Sequence, residues 1–462
     1  MEKENSVRLM WPGRGEYQTD YNRPERAVTR VYPRPVMDGN GGLFPHPVTL
    51  SRDPAANCLI QGENLTVMNT LLQEGYAGKV DLIYIDPPYL SQGTYQSRVA
   101  VQEREQGRKW VTRTVFKDAG YKDLDHYLDE AFQRLLLMKE LLSDQGSIVV
   151  HLDWHVSHYV RVLLDEIFSP QNLVNEIIWC YSGGTGSRRH FHRKHDNLYW
   201  YSKGRDYIFN PQYREYSSGT LQRGLTRVKG DKYKLHSQGA LLQDWWTDIN
   251  KILSPTAHEN LKFPTQKPVA LLKRIIAAAS NPESLVADFY CGSGTLAEVC
   301  DSMQRRWLAC DAQPLAIQTA QYRLVRSKAG PFEVYDLEGA KRTGRLSLEA
   351  SYRETEPGRE DLFIGIGSYQ PDDWPGEALA TKPLSGIDFW EVDLDHREDI
   401  FHSDIQVIRP RRNRLDDSLP LALSLTVPRK AGRQVAVRVH DVFGTQCTGV
   451  VIPGPRDKTG PV

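Results

Sequence analysis

The sequence of 462 residues lacks a net charge, and it lacks any apolar run of membrane-spanning length. Its 58 Lys and Arg balance 58 Asp and Glu, so any affinity for a polyanion has to come from a local surplus of positive charge. No stretch approaches the ~18 apolar residues of a membrane span, and the N-terminal segment has no apolar core of signal-peptide length. We therefore expect a soluble, cytoplasmic protein with no membrane partner.

Cysteine is also scarce, and its spacing excludes two classes of site. The six cysteines include no Cys-x-x-Cys pair, which argues against a zinc knuckle and against a disulfide framework. Near the middle of the chain, imidazoles alternate with cationic side chains: Arg188, Arg189, His190, His192, Arg193, Lys194 and His195. Because cations repel a metal ion, this pattern favours an exposed basic segment, and we predict no metal site.

Strand and helix patterns alternate over most of the chain, which predicts an α/β fold with a doubly wound, mostly parallel sheet. Strands are expected near residues 58–60, 80–85, 147–152, 284–289 and 306–310, with helices between them. The polar stretch 90–120 is longer than a routine connection and is typical of a lid or binding loop. The predicted divisions are an extended N-terminal arm (1–50), a main domain (51–330) with an insertion at about 175–260, and a β-rich C-terminal domain (331–462).

The most informative feature is Asp86-Pro87-Pro88-Tyr89, at the C-terminal end of the predicted strand 80–85. Open α/β sheets bind their ligands at this end of the strands. Proline fixes its own φ, lacks an N–H and keeps the preceding residue extended, so Asp86 and the proline-side carbonyls form a rigid array of acceptors. Such an array suits an amino group, and Tyr89 can stack on the ring that bears it. For an isolated tetrapeptide, a surface turn is the alternative.

A glycine-containing segment, Asp288 to Thr295, lies between another predicted strand and a helix. Its two glycines allow a sharp turn, and the helix N-terminus adds unpaired N–H donors. Asp311 follows Gly294 by 17 residues and ends the next strand. This is the spacing of an acid that binds a ribose diol in nucleotide-binding α/β folds.

The same segment limits the choice of ligand. There is no third glycine and no Gly-Lys-Ser/Thr, so a nicotinamide cofactor and a nucleoside triphosphate both fit poorly. The carboxylate of Asp288 would repel a pyrophosphate and attract the ammonium of an amino acid. An adenosine joined to an amino acid describes S-adenosylmethionine, which we predict as the cofactor.

These motifs, together with Phe263-Pro264-Thr265-Gln266-Lys267-Pro268, resemble the signature set of amino-group DNA methyltransferases. The Asp-Pro-Pro-Tyr tetrapeptide precedes the glycine segment by about two hundred residues, with a variable insertion between them. This permuted order is that of the β class, and it is similar to the modification subunits of type III restriction systems. The resemblance covers roughly residues 58–328.

The resemblance implies roles for individual residues. The catalytic set is Asp86, Pro87, Pro88 and Tyr89. The cofactor set comprises Asp288, Phe289, Gly292 and Gly294 for the methionine part, Asp311 for the ribose, Lys267 and Pro268 in a motif that closes over the cofactor, Glu63 near the adenine, and Asn64, which follows Glu63 in the sequence. The family usually has Asp where this chain has Glu63.

The implied reaction is methylation of an exocyclic amino group of a flipped base in duplex DNA. Asp86 and the Pro87 carbonyl would accept its two N–H bonds and favour the pyramidal nitrogen that attacks the methyl group. In this family Asp at the first position accompanies adenine and Ser tends to accompany cytosine, so we expect adenine N6. Cytosine N4 remains the alternative. C5-cytosine chemistry needs a nucleophilic cysteine, and the chain has no Pro-Cys pair.

The basic insertion is interpreted as the target-recognition region, because residues 176–234 contain 12 Lys and Arg against 5 Asp and Glu. The predicted contacts to double-stranded DNA are Arg188, Arg189, Arg193, Lys194, Lys203, Gln222, Arg223 and Arg227. For each of them a solvated surface position is the alternative. The sequence leaves open a homodimer and a cognate restriction endonuclease as partners. The rival functions are methylation of RNA or a protein amide, and DNA binding without catalysis.

Overall fold

The computed structural model describes residues 7–12, 14–15, 27–33, 57–103, 107–118, 120–184, 186–225, 235–254, 257–339, 344–372, 383–397, 400–409 and 419–456. The helices are α1 (Asn64–Gln73), α2 (Leu124–Leu141), α3 (Ser157–Phe168), α4 (Ser218–Leu225), α5 (Val269–Ala279), α6 (Thr295–Ser302) and α7 (Pro314–Ser327). None of these described helices is long and apolar enough to cross a bilayer.

The strands, in chain order, are β1 (Ala27–Val31), β2 (Asn57–Gln61), β3 (Val80–Ile85), β4 (Thr94–Glu103), β5 (Gly107–Lys117), β6 (Leu142–Leu152), β7 (Leu173–Cys180), β8 (His195–Ser202), β9 (Tyr213–Arg214), β10 (Ala240–Leu241), β11 (Trp245–Trp246), β12 (Leu285–Asp288), β13 (Arg306–Asp311), β14 (Phe332–Asp336), β15 (Arg345–Glu354), β16 (Arg359–Gln370), β17 (Ile387–Asp393), β18 (Phe401–Ser403), β19 (Ile405–Ile408), β20 (Ala422–Pro428), β21 (Val435–Asp441), β22 (Gln446–Val451) and β23 (Gly454–Pro455).

Within the described residues, the main sheet has the strand order β11-β7-β8-β6-β3-β12-β13-β2-β14-β1-β18. Six adjacent strands, β6-β3-β12-β13-β2-β14, run parallel to one another. Strands β8 and β1 flank them on the two sides and run antiparallel. The apolar cores on the sheet's two faces contain side chains of α1, α2 and α3, and of α5, α6 and α7, respectively. A parallel sheet covered on both faces is buried, which explains why its strands are short apolar runs. The predicted doubly wound fold is confirmed.

The ends of the helices follow local side-chain chemistry. Glu63 accepts hydrogen bonds from the backbone N–H groups of Leu65 and Thr66 and so begins α1. Asp123 accepts one from His126 and begins α2 in the same way. Because Glu63 lies directly after β2, this cap holds its carboxylate at the carboxyl edge of the sheet.

The C-terminal part is a second, β-rich unit built from two four-stranded sheets, β20-β16-β15-β23 and β19-β17-β21-β22. Their inner faces share one apolar core, in which Trp390 is fully buried. This unit covers α7, where Gln321 donates to Glu391 at 2.7 Å and Gln318 donates to the carbonyl of Asp441 at 2.8 Å. The polar side of α7 is therefore buried in a protein interface.

The predicted lid loop at 90–120 contains a long β-hairpin of β4 and β5. In β5, the buried residues Val111, Arg113 and Val115 alternate with exposed ones. Because one of the three buried positions is an arginine, the sequence does not show the apolar alternation by which a strand is recognised. The Arg113 guanidinium donates to the carbonyl of Val442, and Val101 and Val111 pack against the Val442 side chain. The hairpin is therefore held by the C-terminal unit.

Three other segments differ from their predicted organisation. Within the supposed insertion, β7, β8 and β11 belong to the main sheet. Within the supposed N-terminal arm, β1 joins that sheet, and Trp11 packs in the core beside Phe132. Strand β14, which follows the predicted boundary at residue 330, also belongs to the main sheet. These short segments join the sheet by pairing with strands far away in the sequence, and local sequence patterns do not reveal such pairing. The division into domains stays a prediction.

We expect Trp390→Ala to lower the free energy of unfolding by about 3–5 kcal/mol, because it leaves a cavity between the two C-terminal sheets. The measurement is urea denaturation followed by circular dichroism. The matched control is Trp245→Ala on the edge strand β11, since Trp245 is 54% exposed and should change stability by less than about 0.5 kcal/mol. Equal effects of the two substitutions would contradict the two-sheet core.

Candidate active site

The main pocket lies at the carboxyl ends of β3, β12 and β13 and has a volume of about 250 Å³. Parallel pairing of β3 with β12 brings Asp86 and Asp288 to the same edge of the sheet. Of the residues predicted for catalysis and cofactor binding, those that line the pocket are Glu63, Asn64, Asp86, Pro87, Pro88, Tyr89, Lys267, Asp288, Phe289, Gly292 and Asp311. The structure thus brings together two motifs that are far apart in the sequence.

One ammonium and one hydroxyl group donate hydrogen bonds to the carboxylate of Asp86. The ammonium of Lys267 donates to Oδ2, and the hydroxyl of Tyr89 donates to Oδ1. Burial and then the nearby Asp86 raise the pKa of Tyr89 well above its usual value, so its hydroxyl remains a donor. Each carboxylate oxygen can accept a second hydrogen bond, so an amino group that binds Asp86 would share these oxygens with the two donors or displace one of them.

The glycine turn depends on the absence of side chains. Gly294 has φ 72° and caps α6, and a Cβ there would lie 2.6 Å from the Cβ of Ala320. Gly292 has φ 49°, and a Cβ there would lie 3.2 Å from the ring of Phe263. Gly294 therefore shapes the site through its backbone conformation. Pro268 also acts through its backbone, because it is the N-cap of α5.

Two further carboxyl groups, those predicted to bind the cofactor, line the pocket. Asp288 is buried and accepts a hydrogen bond from the backbone N–H of Tyr290 at 3.0 Å, and burial raises its pKa well above the usual range. Asp311 accepts backbone hydrogen bonds from Gly292 and Gln313, both at 2.9 Å, while burial raises its pKa to about 6. Such desolvated acids are stabilised by a ligand that brings an ammonium or hydroxyl donors.

Arg134 on α2 is a pocket residue that sequence reasoning missed. Its guanidinium donates to Asn64 Oδ1 and to Glu63 Oε1, both at 2.6 Å. Asn64 in turn donates to the carbonyl of Phe289 at 3.1 Å, which links this group to the glycine segment. Arg134 was missed because it lies within an apolar helix pattern, and only packing turns it toward Glu63.

The β4–β5 hairpin, which lies in the stretch predicted as a lid or binding loop, supplies another wall of the pocket. Tyr95, Phe116, Lys117 and Asp118 line the pocket, and the rings of Tyr95 and Phe116 stack with centroids 4.5 Å apart. One oxygen of Asp118 accepts from the backbone N–H and hydroxyl of Ser91, at 2.6 and 2.5 Å. Its other oxygen is buried and has no hydrogen-bond partner in the described part of the chain.

A buried hydrogen-bond chain extends from the pocket to the end of β7. The hydroxyl of Tyr84, a pocket residue, bonds His151 Nδ1 at 2.8 Å, and His151 Nε2 bonds Asp196 at 3.1 Å. Tyr181 donates to the other oxygen of Asp196 at 2.9 Å. Burial alone would raise the pKa of Asp196, but its interactions with His151, Lys267 and Tyr181 together lower that pKa.

The predicted DNA-contact residues fall into separate groups. Arg188, Arg189, Arg193 and Lys194 lie in the loop between β7 and β8. Lys203 follows β8 at the opposite edge of the sheet because β8 runs antiparallel, and its ammonium donates to the Leu142 carbonyl at 2.5 Å. Gln222 is exposed on α4, which also contains Arg223, and Arg227 lies outside the described residues.

The chain is similar in sequence to known methyltransferases. A family model described as DNA methylase matches residues 80–322. The chain is 25% identical over 334 residues to the type II methyltransferase M.EcaI of Enterobacter cloacae, covering 59% of this chain and 70% of that protein. It is 25% identical over 308 residues to the DNA adenine methyltransferase YhdJ of Escherichia coli K12, covering 65% and 94%.

A further relative is the Mod subunit of the type III restriction-modification enzyme StyLTI of Salmonella typhimurium. It is 23% identical over 372 residues, which cover 59% of this chain and 54% of the subunit. The match therefore spans about half the length of that subunit.

The pKa of Asp311 leads to a pH prediction. Because this pKa is raised to about 6, the carboxylate of Asp311 gains a proton as the pH falls through that value. The protonated group has one acceptor fewer for the ribose hydroxyls. We expect calorimetric affinity for S-adenosylmethionine to be constant well above this pH and to fall by up to about tenfold per pH unit below it. Asp311→Asn should bind S-adenosylmethionine weakly, and its affinity should not fall in this way below pH 6. Asp144→Asn, an exposed control in β6, should keep the pH dependence of the wild-type protein. Identical pH profiles in all three proteins would contradict the role of Asp311.

Removal of the Arg134 guanidinium should release both Glu63 and Asn64. We expect Arg134→Met to weaken S-adenosylmethionine binding by about 10- to 100-fold, the effect of losing a buried hydrogen bond to a charged group. Calorimetry measures this affinity, and circular dichroism checks the fold. Arg161→Met on α3 is the control, since Arg161 pairs with Asp165 away from the pocket residues. An unchanged affinity in Arg134→Met would exclude this positioning role.

Proposed function

The chain belongs to the DNA methylase family whose model spans more than half of its length, and from this premise we propose that it methylates the exocyclic N6 of adenine in duplex DNA, with S-adenosylmethionine as the methyl donor. The observation that carries the proposal is the position of Asp86 beside Asp288 and Asp311 in one pocket. Acceptors for an amino group and partners for an amino-acid nucleoside are thereby adjacent.

The pocket suits S-adenosylmethionine by its donor and acceptor groups. Asp288 would bind the ammonium, Asp311 the ribose hydroxyls, and the Gly292 turn leaves room for close approach of the ligand. Glu63 and Asn64, held by Arg134, lie on the side proposed for the adenine. The bound cofactor supplies an electrophilic methyl group on a sulfonium.

Asp86 and the Pro87 carbonyl act on the target nitrogen. An exocyclic amino group shares its lone pair with the ring and is a poor nucleophile. Acceptance of its two N–H bonds by rigid acceptors favours the pyramidal nitrogen, so these acceptors stabilise the transition state more than the ground state. The methylated nitrogen is acidic, and its proton passes to Asp86 or to water.

Adenine is proposed over cytosine on two grounds. Asp86 occupies the first position of the tetrapeptide, which accompanies adenine in this family, and the relative YhdJ is named as an adenine methyltransferase. Cytosine N4 is the second candidate, because the family includes amino-group methylation of either base. Asp86 and the Pro87 carbonyl suit the planar amino group of either base.

Duplex DNA is the proposed partner, and the target base has to leave the helix to reach Asp86. The basic loop between β7 and β8 emerges at the same edge of the sheet as the pocket, which supports its role as a phosphate contact. A cognate restriction endonuclease and a homodimer are further proposals, the former suggested by the Mod subunit relative. Because the substrate would be chromosomal DNA, we propose a cytoplasmic location.

Asp86→Ala is expected to lower the methylation rate of DNA by at least about 10³-fold, because the amino group loses its charged acceptor. The assay is transfer of labelled methyl groups to genomic DNA, with mass spectrometry of the nucleosides and base-level sequencing to identify the acceptor and its sequence. N6-methyladenine is the expected product.

Asp144→Asn serves as the control for activity, and calorimetry checks that Asp86→Ala still binds the cofactor. Survival of methylation in Asp86→Ala would overturn the mechanism. Detection of N4-methylcytosine would replace adenine by cytosine, and methylation of RNA or protein alone would overturn DNA as the substrate.

A further inference from the structure

The loop between β7 and β8, residues 181–194, emerges next to the catalytic edge of the sheet. Asn197 of β8 pairs with Leu152 at the end of β6, and Ile85 of β3 pairs with Val150. Asp86 therefore follows a strand that lies two strands away from β8, a lateral separation of about 10 Å, and the base of the loop lies further along β8 in the same direction.

Internal contacts give the loop a defined shape. The backbone N–H of Tyr181 donates to the carbonyl of Lys194 at 2.9 Å and closes the base of the loop. Near the tip, Ser187 accepts from the N–H of Arg189 at 3.0 Å, and its carbonyl bonds the ring of His192 at 3.2 Å. A Cβ at Gly186 would lie 1.6 Å from that ring, so the turn is tightly packed.

Phe191 projects from this turn with its side chain 99% exposed. Its sequence neighbours are cationic or imidazole side chains, and the guanidinium of Arg193 lies 3.8 Å from the ring centroid of Trp154. Among the described residues, no ring contact involves Phe191. An apolar ring among cations has a suitable partner in DNA, where phosphates neutralise the charges and bases stack on the ring.

Both ends of the loop are tied to the pocket. Tyr181, the first residue of the loop, bonds Asp196, which follows the loop on β8. Asp196 bonds His151, which bonds Tyr84 in the pocket wall. All four side chains lie in or next to the sheet, so the position of the loop tip is set relative to Asp86. A fixed separation is what an element needs if it acts on the duplex next to the flipped base.

On the basis of the proposed function, we propose that Phe191 inserts into the DNA base stack at the position left by the flipped base. Extrusion of a base breaks stacking and pairing, and a ring that fills the gap stabilises the opened duplex. Arg188, Arg189 and Arg193 bring the loop to the phosphates, while Phe191 acts on the stack. Phe191 is thus a positioning residue for the reaction, because it favours the flipped state without contacting the reacting atoms.

The test compares matched duplex DNA with DNA in which the target base faces an abasic site, so that flipping needs no unpairing. The target sequence comes from base-level sequencing of DNA methylated by the wild-type protein. Phe191→Ala should lower kcat/KM on matched DNA by about 10- to 100-fold and have less than about a threefold effect on the abasic duplex. Phe191→Trp should retain activity on both, since its ring also stacks.

Phe209→Ala is the matched control, because Phe209 is an exposed phenylalanine, 48% accessible, that lies outside the loop. Circular dichroism and cofactor affinity check the fold of each variant. Equal losses of Phe191→Ala on the two duplexes would show a general binding role and overturn insertion, and so would unchanged activity on both. Failure of the wild-type protein to methylate any DNA would instead overturn the proposed function, and this inference with it.

Discussion

The parallel pairing of β3 with β12 is the constraint on which the site depends. Leu82 pairs with Val286 and Ile83 with Ala287, so the acid that follows β3 and the acid that ends β12 emerge at one edge of the sheet. Without this pairing, Asp86 and Asp288 would be acidic residues about two hundred positions apart. With it, the acceptors proposed for the amino group and the acids proposed for the cofactor share one cavity. Lys267, just before α5, donates to Asp86.

The C-terminal unit supports this cavity from two sides. It covers α7, whose N-terminal end follows the pocket residue Asp311, and it holds the β4–β5 hairpin through the contact of Arg113 with Val442. The hairpin in turn presents Tyr95, Phe116 and Asp118 to the pocket. A β-rich unit that contributes no residue to the predicted motifs therefore positions two walls of the site.

Buried polar chains connect the pocket with its surroundings. Arg134 joins Glu63 and Asn64 on the proposed adenine side, and His151 joins Tyr84 to Asp196 below the basic loop. Each buried polar group is costly unless it is paired, so these chains hold their members in defined positions. The basic loop and the pocket proposed for the target base are thereby connected by one chain of hydrogen bonds.

The sequence by itself determined the α/β class, the tetrapeptide, the glycine turn and the acid at Asp311, because each depends on chemistry within a few neighbouring residues. It predicted a lid or binding loop at 90–120, but it did not reveal the β-hairpin in that stretch, Arg134, the Tyr84–His151–Asp196 chain, or the sheet positions of β1, β7 and β14. It also grouped Lys203 with the basic loop, although the antiparallel direction of β8 separates them. Only the tertiary structure decided these features, because they arise from pairing and packing between segments distant in the chain, which local patterns do not encode.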